Sequence, residues 1–443
     1  MRNEKGLFRN VDRGLLIIYL LMVSMGVANI YSSAFNPEHP FLLDQSMEYG
    51  KQALWFGISI FLGGIILLLE GTFIRKFAYE FYGAMLVLLI AVLVVGVEKN
   101  GAKAWFGVGS FGIQPSEFAK IGVALALAKF LSTPQIRLDD TGTRLYTVLF
   151  IGAPALLILL QPDVGTIIVF VSFILMLYRE GMSGNLLLYG LLAIVLAVLS
   201  LKLKETTMEL PIFGQEVNGT IGLIIVLSVM AILVFFLIRQ MVNKRNRRLA
   251  ITLLFVVFIG SVGVVYGVKW AFYNVFQEHQ RTRIDLTLGN IEDPDGKDYN
   301  SNRAKAAIGS GGFFGKGFMG STLANSSQKH VPMQSTDFIY CTLSEEWGFL
   351  GSVTIILLFM LLLFRLTIIA ERQRSTFTRI FTYCVSSIIF FHFLINVGMA
   401  IGLAPVIGIP LPFFSYGGSS LMAFSMLIFL VLKLDSERLD VLR

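Results

Sequence analysis

RAKAAIGSGGFFGKGFMGSTLANSSQKHVPMQSTDFIYCTLSEEWGFLG, residues 303–351, is a polar, glycine-rich segment that runs straight into an apolar one. Almost everything around it reads as membrane helix. Loops longer than about 12–15 residues with no structure of their own are uncommon and usually functional. This one ends by carrying an acid, Asp337, into the start of the next apolar run. If the chain performs chemistry, it is expected here.

Hydrophobic residues make up 55% of the chain and charged residues 15%, with a mean hydropathy of +0.72. Soluble domains average about 25% charged residues, so this composition reads as an all-α, polytopic membrane protein. A span needs about 20 mostly apolar residues. Twelve runs qualify, near 14–34, 51–70, 77–97, 115–132, 145–160, 164–179, 184–202, 219–240, 248–270, 348–369, 380–402 and 413–433. The run at 145–160 is short, and 115–132 contains Glu117 and Lys120. The last loop, near 403–418, is expected to re-enter the membrane in part. MRNEKGLFRNVDR precedes a full-length apolar run with no small-residue cleavage site after it, which reads as a retained first helix. No internal repeat and no separate soluble domain are visible, so residues 1–443 read as a single membrane domain.

Lys and Arg in short loops set orientation. With the N-terminus inside, one side collects Arg2, Lys5, Arg9, Arg13, Arg75, Lys76, Arg137, Arg144, the 239–248 basic stretch, Arg365, Arg372, Arg374, Arg379 and the C-terminal Lys433, Arg438 and Arg443. The opposite short loops hold only Lys51, Lys99, Lys103, Lys202 and Lys204. Both termini are therefore expected in the cytoplasm and the long loop 271–347 on the outer face. The net charge of +7 follows largely from this bias, and no nucleic-acid partner is expected. Cys341 and Cys384 cannot build a disulfide framework, and four scattered histidines give no zinc pattern.

Asp337 is the first candidate. Pro332 breaks the chain, Ser335 and Thr336 are candidate N-caps, and an acid in a first turn also simply suits the helix dipole. The functional reading is a general base at the outer surface, with Ser344 and Glu345 near the same face. GSGGFFGKGFMG, 309–320, could present backbone N–H groups and Lys316 to an anion. It fails the P-loop pattern, and the plainer reading is a loop that needs positive φ. Glu117 and Lys120, three apart on a membrane helix, could pair structurally or line a cavity, since intramembrane charges are functional by default. Arg281 and Arg283 in EHQRTRIDL could hold a pyrophosphate or merely anchor the interface. Lys103 and Trp105 lie in a glycine-rich stretch where interfacial Trp is common. Asp163, in LLQPDVG, reads equally as a turn residue. APVIGIPLPFFSYGGSS, 404–420, is broken and apolar and could wall a lipid groove.

Five strings together resemble the SEDS family of bacterial cell-wall polymerases, whose members include RodA, FtsW and SpoVE. They are NGAKAWFGVGSFGIQPSEFAK (100–120), LLQPDVGT (159–166), IGSGGFFGKG (308–317), VPMQSTDFIYCTLSEEWGFLG (331–351) and IGLAPVIGIPLPFFSYGGSS (401–420). They occur in family order across most of the chain. The 293–300 stretch and the TDFIYCTLSEEWGF form look closer to RodA-like than to FtsW-like members. The resemblance implies a peptidoglycan glycosyltransferase that polymerises lipid II, with the TDFI acid, here Asp337, required. It also carries the family's intramembrane pair onto Glu117 and Lys120 and its QR-x-R arginine onto Arg281. Two departures stand out: Ala104 occupies the usual Arg position, for which Lys103 could compensate, and Pro332-Met333-Gln334-Ser335 replaces PE-x-H. The family usually has ten spans, so an inserted pair is expected within 184–270.

On this reading Asp337 takes the proton from the acceptor's GlcNAc 4-hydroxyl as it attacks the donor's MurNAc anomeric carbon. The α-linked pyrophosphate leaves and a β-1,4 bond forms with inversion. Arg281, Arg283, Lys316 and the glycine amides would hold the pyrophosphate, and Mg2+ or Mn2+ could assist. No organic cofactor is expected. The resemblance implies a class B penicillin-binding protein as the partner, beside membrane lipid and lipid II itself. The rivals are a lipid II flippase, a non-enzymatic scaffold for a transpeptidase and a division-type polymerase. A transporter should favour midplane sites on paired, interrupted helices, whereas the polar residues here gather at one face.

Overall fold

The computed structural model describes residues 10–99, 102–108, 111–209, 216–276, 278–288, 290–291, 299–322 and 334–439. In chain order the elements are α1 (Arg13–Ser33), α2 (Glu48–Leu68), the short α3 (Gly71–Lys76) and α4 (Ala78–Val95). A small antiparallel sheet follows, made of β1 (Val97–Lys99), β2 (Ala102–Val108) and β3 (Phe111–Ile113). Then come α5 (Pro115–Leu131), α6 (Thr141–Leu159), α7 (Val164–Phe170), α8 (Phe173–Arg179) and α9 (Gly184–Lys202). The hairpin strands β4 (Thr207–Glu209) and β5 (Glu216–Asn218) lead into α10 (Gly219–Met241), α11 (Lys244–Asn274) and α12 (Glu278–Leu288). The last elements are α13 (Tyr299–Ser310), α14 (Ile339–Glu371), α15 (Thr376–Ala400) and α16 (Gly418–Ser436).

Each of the twelve apolar runs coincides with helix. Among the described residues nine helices are long and apolar enough to cross a membrane: α1, α2, α4, α6, α10, α11, α14, α15 and α16. The other three runs fall on α5, on α9 and on the consecutive α7 and α8. Helices suit this setting because every backbone group is satisfied within the segment. Their starts follow local chemistry. Asp12 caps α1 by accepting from Leu15 N at 2.9 Å, Pro115 opens α5, and Asn218 caps α10 by accepting from Thr220 N at 3.0 Å.

Two compact units make up the chain, one of residues 1–182 and 300–443 and the other of 183–299. In the first, α5 and α16 are buried along most of their length. At the end that carries α1's N-terminus, Arg365 and Arg372 both pair with Asp12, at 2.8 and 2.7 Å, and Arg372 also holds the buried Asp435. Burial alone would push the Asp12 carboxyl up, but its bonds from the two guanidinium groups and Leu15 N hold it below the ordinary value. The second unit is fastened by a buried Lys204, which pairs with Asp285 at 2.7 Å and lies 3.7 Å from the Phe272 ring centroid.

Residues 271–347, read from sequence as a long loop, are partly helical where they are described. They carry α12 and α13, and the glycine-rich run that follows α13 is spliced into α14. At Gly348, with φ +62° and ψ −156°, the helix breaks. In an uninterrupted helix, Phe349 and Leu350 N–H would donate to the carbonyls of Glu345 and Glu346. Here they donate instead to Gly312 and Phe313 O, at 2.9 and 3.2 Å. The carbonyls of Glu345 and Glu346 accept from Lys316 and Gly317 N–H at 3.1 and 2.9 Å. The run 311–320 is thus a strap that replaces two rungs of the helix ladder, which is a specific cause for the kink.

Gly348 has no substitute in that geometry. Its φ and ψ belong almost only to glycine, and an added Cβ would lie 2.4 Å from Gly315 N and 2.8 Å from Phe313 C. Gly348→Ala is expected to destabilise the protein by about 3 kcal/mol or more. Gly57→Ala, where a Cβ meets nothing within 4 Å, should be neutral or slightly stabilising. Thermal unfolding of the two variants side by side checks this. Equal melting temperatures would mean that the strap is not built this way.

Candidate active site

Asp337 sits in the turn 334–338, one residue before Phe338, the N-cap of α14. Ser335 and Thr336 do not cap that helix, contrary to the sequence expectation. Instead, the turn is held through its carbonyls. Ser335 O accepts from Tyr416 N at 2.8 Å, Thr336 O from the Ser415 hydroxyl at 2.6 Å, and Asp337 O from Asn396 Nδ2 at 2.9 Å. Phe338 O accepts from Cys341 N at 2.9 Å, and Ile339 O from Asn29 Nδ2 at 3.4 Å. Donors from α1, α15 and the 401–417 loop therefore fix one short turn. With the backbone fixed, the half-buried Asp337 side chain is carried on a rigid mount. Gly408, at φ +72°, lies against it, since a Cβ there would be 3.6 Å from Asp337 Oδ2.

The 401–417 loop packs into the first unit, with Ile409, Leu411, Phe413 and Phe414 buried, so these residues form core rather than a lipid-facing wall. Asn396 ties it to the acid's turn, because the same Nδ2 also donates to Ile409 O at 2.7 Å. One helical turn earlier, His392 reaches the adjacent Pro410 O at 3.3 Å through Nδ1. Its Nε2 lies 2.9 Å from Lys120 Nζ, which also donates to Glu117 at 2.8 Å. Lys120 can only donate, so Nε2 accepts and the proton sits on Nδ1, directed at Pro410 O. Glu117 and Lys120 are thus a buried pair, joined through His392, the 409–410 backbone and Asn396 to the turn that bears Asp337. Sequence pattern does not single out His392 and Asn396. The signal is their i, i+4 spacing inside an apolar run, which puts both on one helix face.

Asn396→Ala removes the donor to two carbonyls, the buried one of Ile409 and the part-buried one of Asp337, and a buried carbonyl left unpaired costs about 1–3 kcal/mol. It is expected to slow turnover about 10–100-fold with little change in KM, because a misplaced group can cost about that much. Initial rates of the catalysed reaction measure this, and an unchanged kcat would show that the turn holds itself.

The other candidates fall elsewhere. The Lys316 ammonium lies 2.5 Å from Glu345 Oε1, which also accepts from Thr322 N at 2.9 Å. The N–H groups of Gly311, Gly312, Gly315, Lys316, Gly317 and Gly320 already have carbonyl partners. The expected anion cradle is therefore replaced by the helix-splicing strap. Ser344 donates to Tyr340 O at 2.8 Å, within its own helix. Asp163 caps α7, accepting from Thr166 N at 3.1 Å, from the Thr166 hydroxyl at 2.7 Å and from Gln114 Nε2 at 2.9 Å. Lys103 donates to Val94 O at 2.9 Å, at the end of α4. Arg281, in the second unit, donates to Phe276 O at 2.8 Å and also to Tyr273 O, so it caps α11. Arg283 lies in α12, and its side chain is outside the described residues, as are residues 293–298, Pro332 and Met333. Among the described residues no group of three or more His, Cys, Asp and Glu side chains is placed to hold a metal ion.

The FtsW/RodA/SpoVE model, described as "cell cycle protein", matches residues 12–210 and 249–439. The chain is 32% identical over 446 residues to peptidoglycan glycosyltransferase RodA of Treponema pallidum, covering 97% of this chain and 98% of that protein. It is 30% identical over 433 residues to stage V sporulation protein E of Bacillus subtilis, covering 96% of each. In fold it is similar to a chain of a peptidoglycan synthase complex solved for its coordination of polymerization and crosslinking. There the TM-score is 0.70 at 27% identity, covering 97% of this chain and 99% of that one.

Proposed function

The chain belongs to the FtsW/RodA/SpoVE family, and we propose that it is the peptidoglycan glycosyltransferase of cell elongation, polymerising lipid II. The observation that carries the mechanism is the clamped turn, which holds one carboxylate in a fixed place through bonds to its backbone. Asp337 takes the 4-hydroxyl proton of the acceptor's GlcNAc while that oxygen attacks the donor's MurNAc C1. The C1–O bond to pyrophosphate breaks with its electron pair, and undecaprenyl pyrophosphate leaves. One carboxylate suffices because the leaving group needs charge stabilisation more than a proton.

The Lys and Arg bias supports placing both termini in the cytoplasm and Asp337 at the outer surface of the inner membrane. The unmatched residues 211–248, which include α10, support an insertion into the family core within 184–270. A class B penicillin-binding protein is the proposed partner, supported by the similarity to the synthase complex.

Incubating the purified protein with lipid II in detergent, alone and with its transpeptidase, tests the reading. Glycan strands support it. Their absence in both conditions would favour the flippase or scaffold.

A further inference from the structure

Where α10 ends and α11 begins, RQMVNKRNRR (239–248) holds five cations and no acid. Arg239 lies in the last turn of α10, and Lys244, Arg245, Arg247 and Arg248 fall among the first residues of α11. Only Val242 and Asn243 separate the two helices. Four of the cations are exposed, and the half-buried Arg247 donates to Val242 O at 3.3 Å. Elsewhere the chain's arginines meet carboxylates: Arg179 meets Glu371, Arg365 and Arg372 meet Asp12, Arg379 meets Glu180 and Arg438 meets Asp435. Among the described residues no carboxylate pairs with any of the five cations at this turn.

The rest of the hairpin shows what these cations border. α10 and α11 meet α9 through Leu196, Leu223 and Val265, at the end away from the turn. From 224 to 260 no residue is buried, and beside the cations Met241 is 78% and Leu249 65% exposed. Both helices are apolar enough to cross a membrane, so lipid covers this surface and the cations lie where it stops. The 31 residues of α11 extend about 46 Å. The hydrocarbon layer is about 30 Å thick, so the basic first turn has room among the headgroups. Four like charges there repel one another and oppose the helix dipole, and no side chain caps α11. An anion relieves both. The orientation bias explains cations beside a span, but acids count little toward it, so it does not call for a cluster free of them.

We propose that the α10–α11 turn binds the headgroups of anionic phospholipid. Arginine takes a phosphate through paired bonds and lysine supplies a point charge. Clusters of about four to eight Lys and Arg just outside a span suit such lipids. The apolar flanks at the same level favour a lipid over an acidic protein. All five cations fall within 211–248, which the family model leaves unmatched, so the site lies outside the machinery shared with relatives. It does not depend on which leaflet the turn meets.

The test incubates the full-length protein in neutral detergent with equal amounts of phosphatidylglycerol and phosphatidylcholine of matched acyl chains. The protein is then repurified and the lipid it carries is measured by mass spectrometry. Wild type should carry phosphatidylglycerol over phosphatidylcholine by roughly tenfold or more. The triple variant Lys244→Gln, Arg245→Gln, Arg248→Gln should bring the ratio near parity, since each cation is worth roughly fivefold. Arg13→Gln, Arg137→Gln, Arg374→Gln, which removes three exposed cations elsewhere, should leave it unchanged. If the first triple variant does not fold, Arg248→Gln alone should lower the ratio roughly fivefold. No preference in wild type would overturn the proposal and leave the cluster to topology or an acidic protein. A preference that survives the first triple variant, or falls equally in the second, would place the site elsewhere and equally sink it. Inorganic phosphate should displace no more lipid than NaCl at the same ionic strength. Selective displacement would make the ligand a free anion and overturn the lipid assignment.

Discussion

Asp337→Asn is expected to abolish glycan polymerisation while leaving a folded, monodisperse protein. The substitution keeps the size of the side chain, and the bonds that hold the turn go to backbone carbonyls, which it does not alter. What disappears is the basic oxygen. General base catalysis contributes about 10²–10⁴-fold, so strands from lipid II should fall below detection in an ordinary time course. Neither Glu345, paired with Lys316, nor Asp163, which caps α7, is placed to take over. Wild-type rates from Asp337→Asn would remove the acid from the mechanism altogether.

Lys120→Met should be the most damaging single change to stability. It strands Glu117, only 4% exposed, and takes the donor from His392 Nε2. Removing one partner of a buried pair costs about 3–5 kcal/mol, whereas replacing both with neutral groups of similar volume is often nearly free. The double variant Glu117→Gln, Lys120→Met should therefore melt well above the single one. A single variant that melts like wild type would show that water reaches the pair. A recovered fold with unrecovered activity would show that the charges also serve the reaction.

The spans were legible because a run of about 20 apolar residues needs no tertiary information. Asp337 and the Glu117/Lys120 pair stood out because acids and lysines in apolar surroundings demand a reason. The strap did not, since its bonds join backbone to backbone and leave only glycines as a trace. The same run therefore reads as an anion cradle until Glu345 and Glu346 are seen to use its amides. Lys316 and Arg281 show a related point: sequence marks a cation but not which oxygen it meets, here Glu345 Oε1 and Phe276 O. Asn396 and His392 hide as single polar residues in an otherwise apolar helix.

The mount of Asp337 also has a place in time. The acid is synthesised before most of its supports: Asn396, Ser415 and Tyr416 leave the ribosome some 60 to 80 residues after it, whereas Asn29 leaves among the first. A chain still being inserted would own the acid without its setting. Polymerising power would arrive only with the last two helices, so a half-made enzyme would be kept from acting on wall precursor.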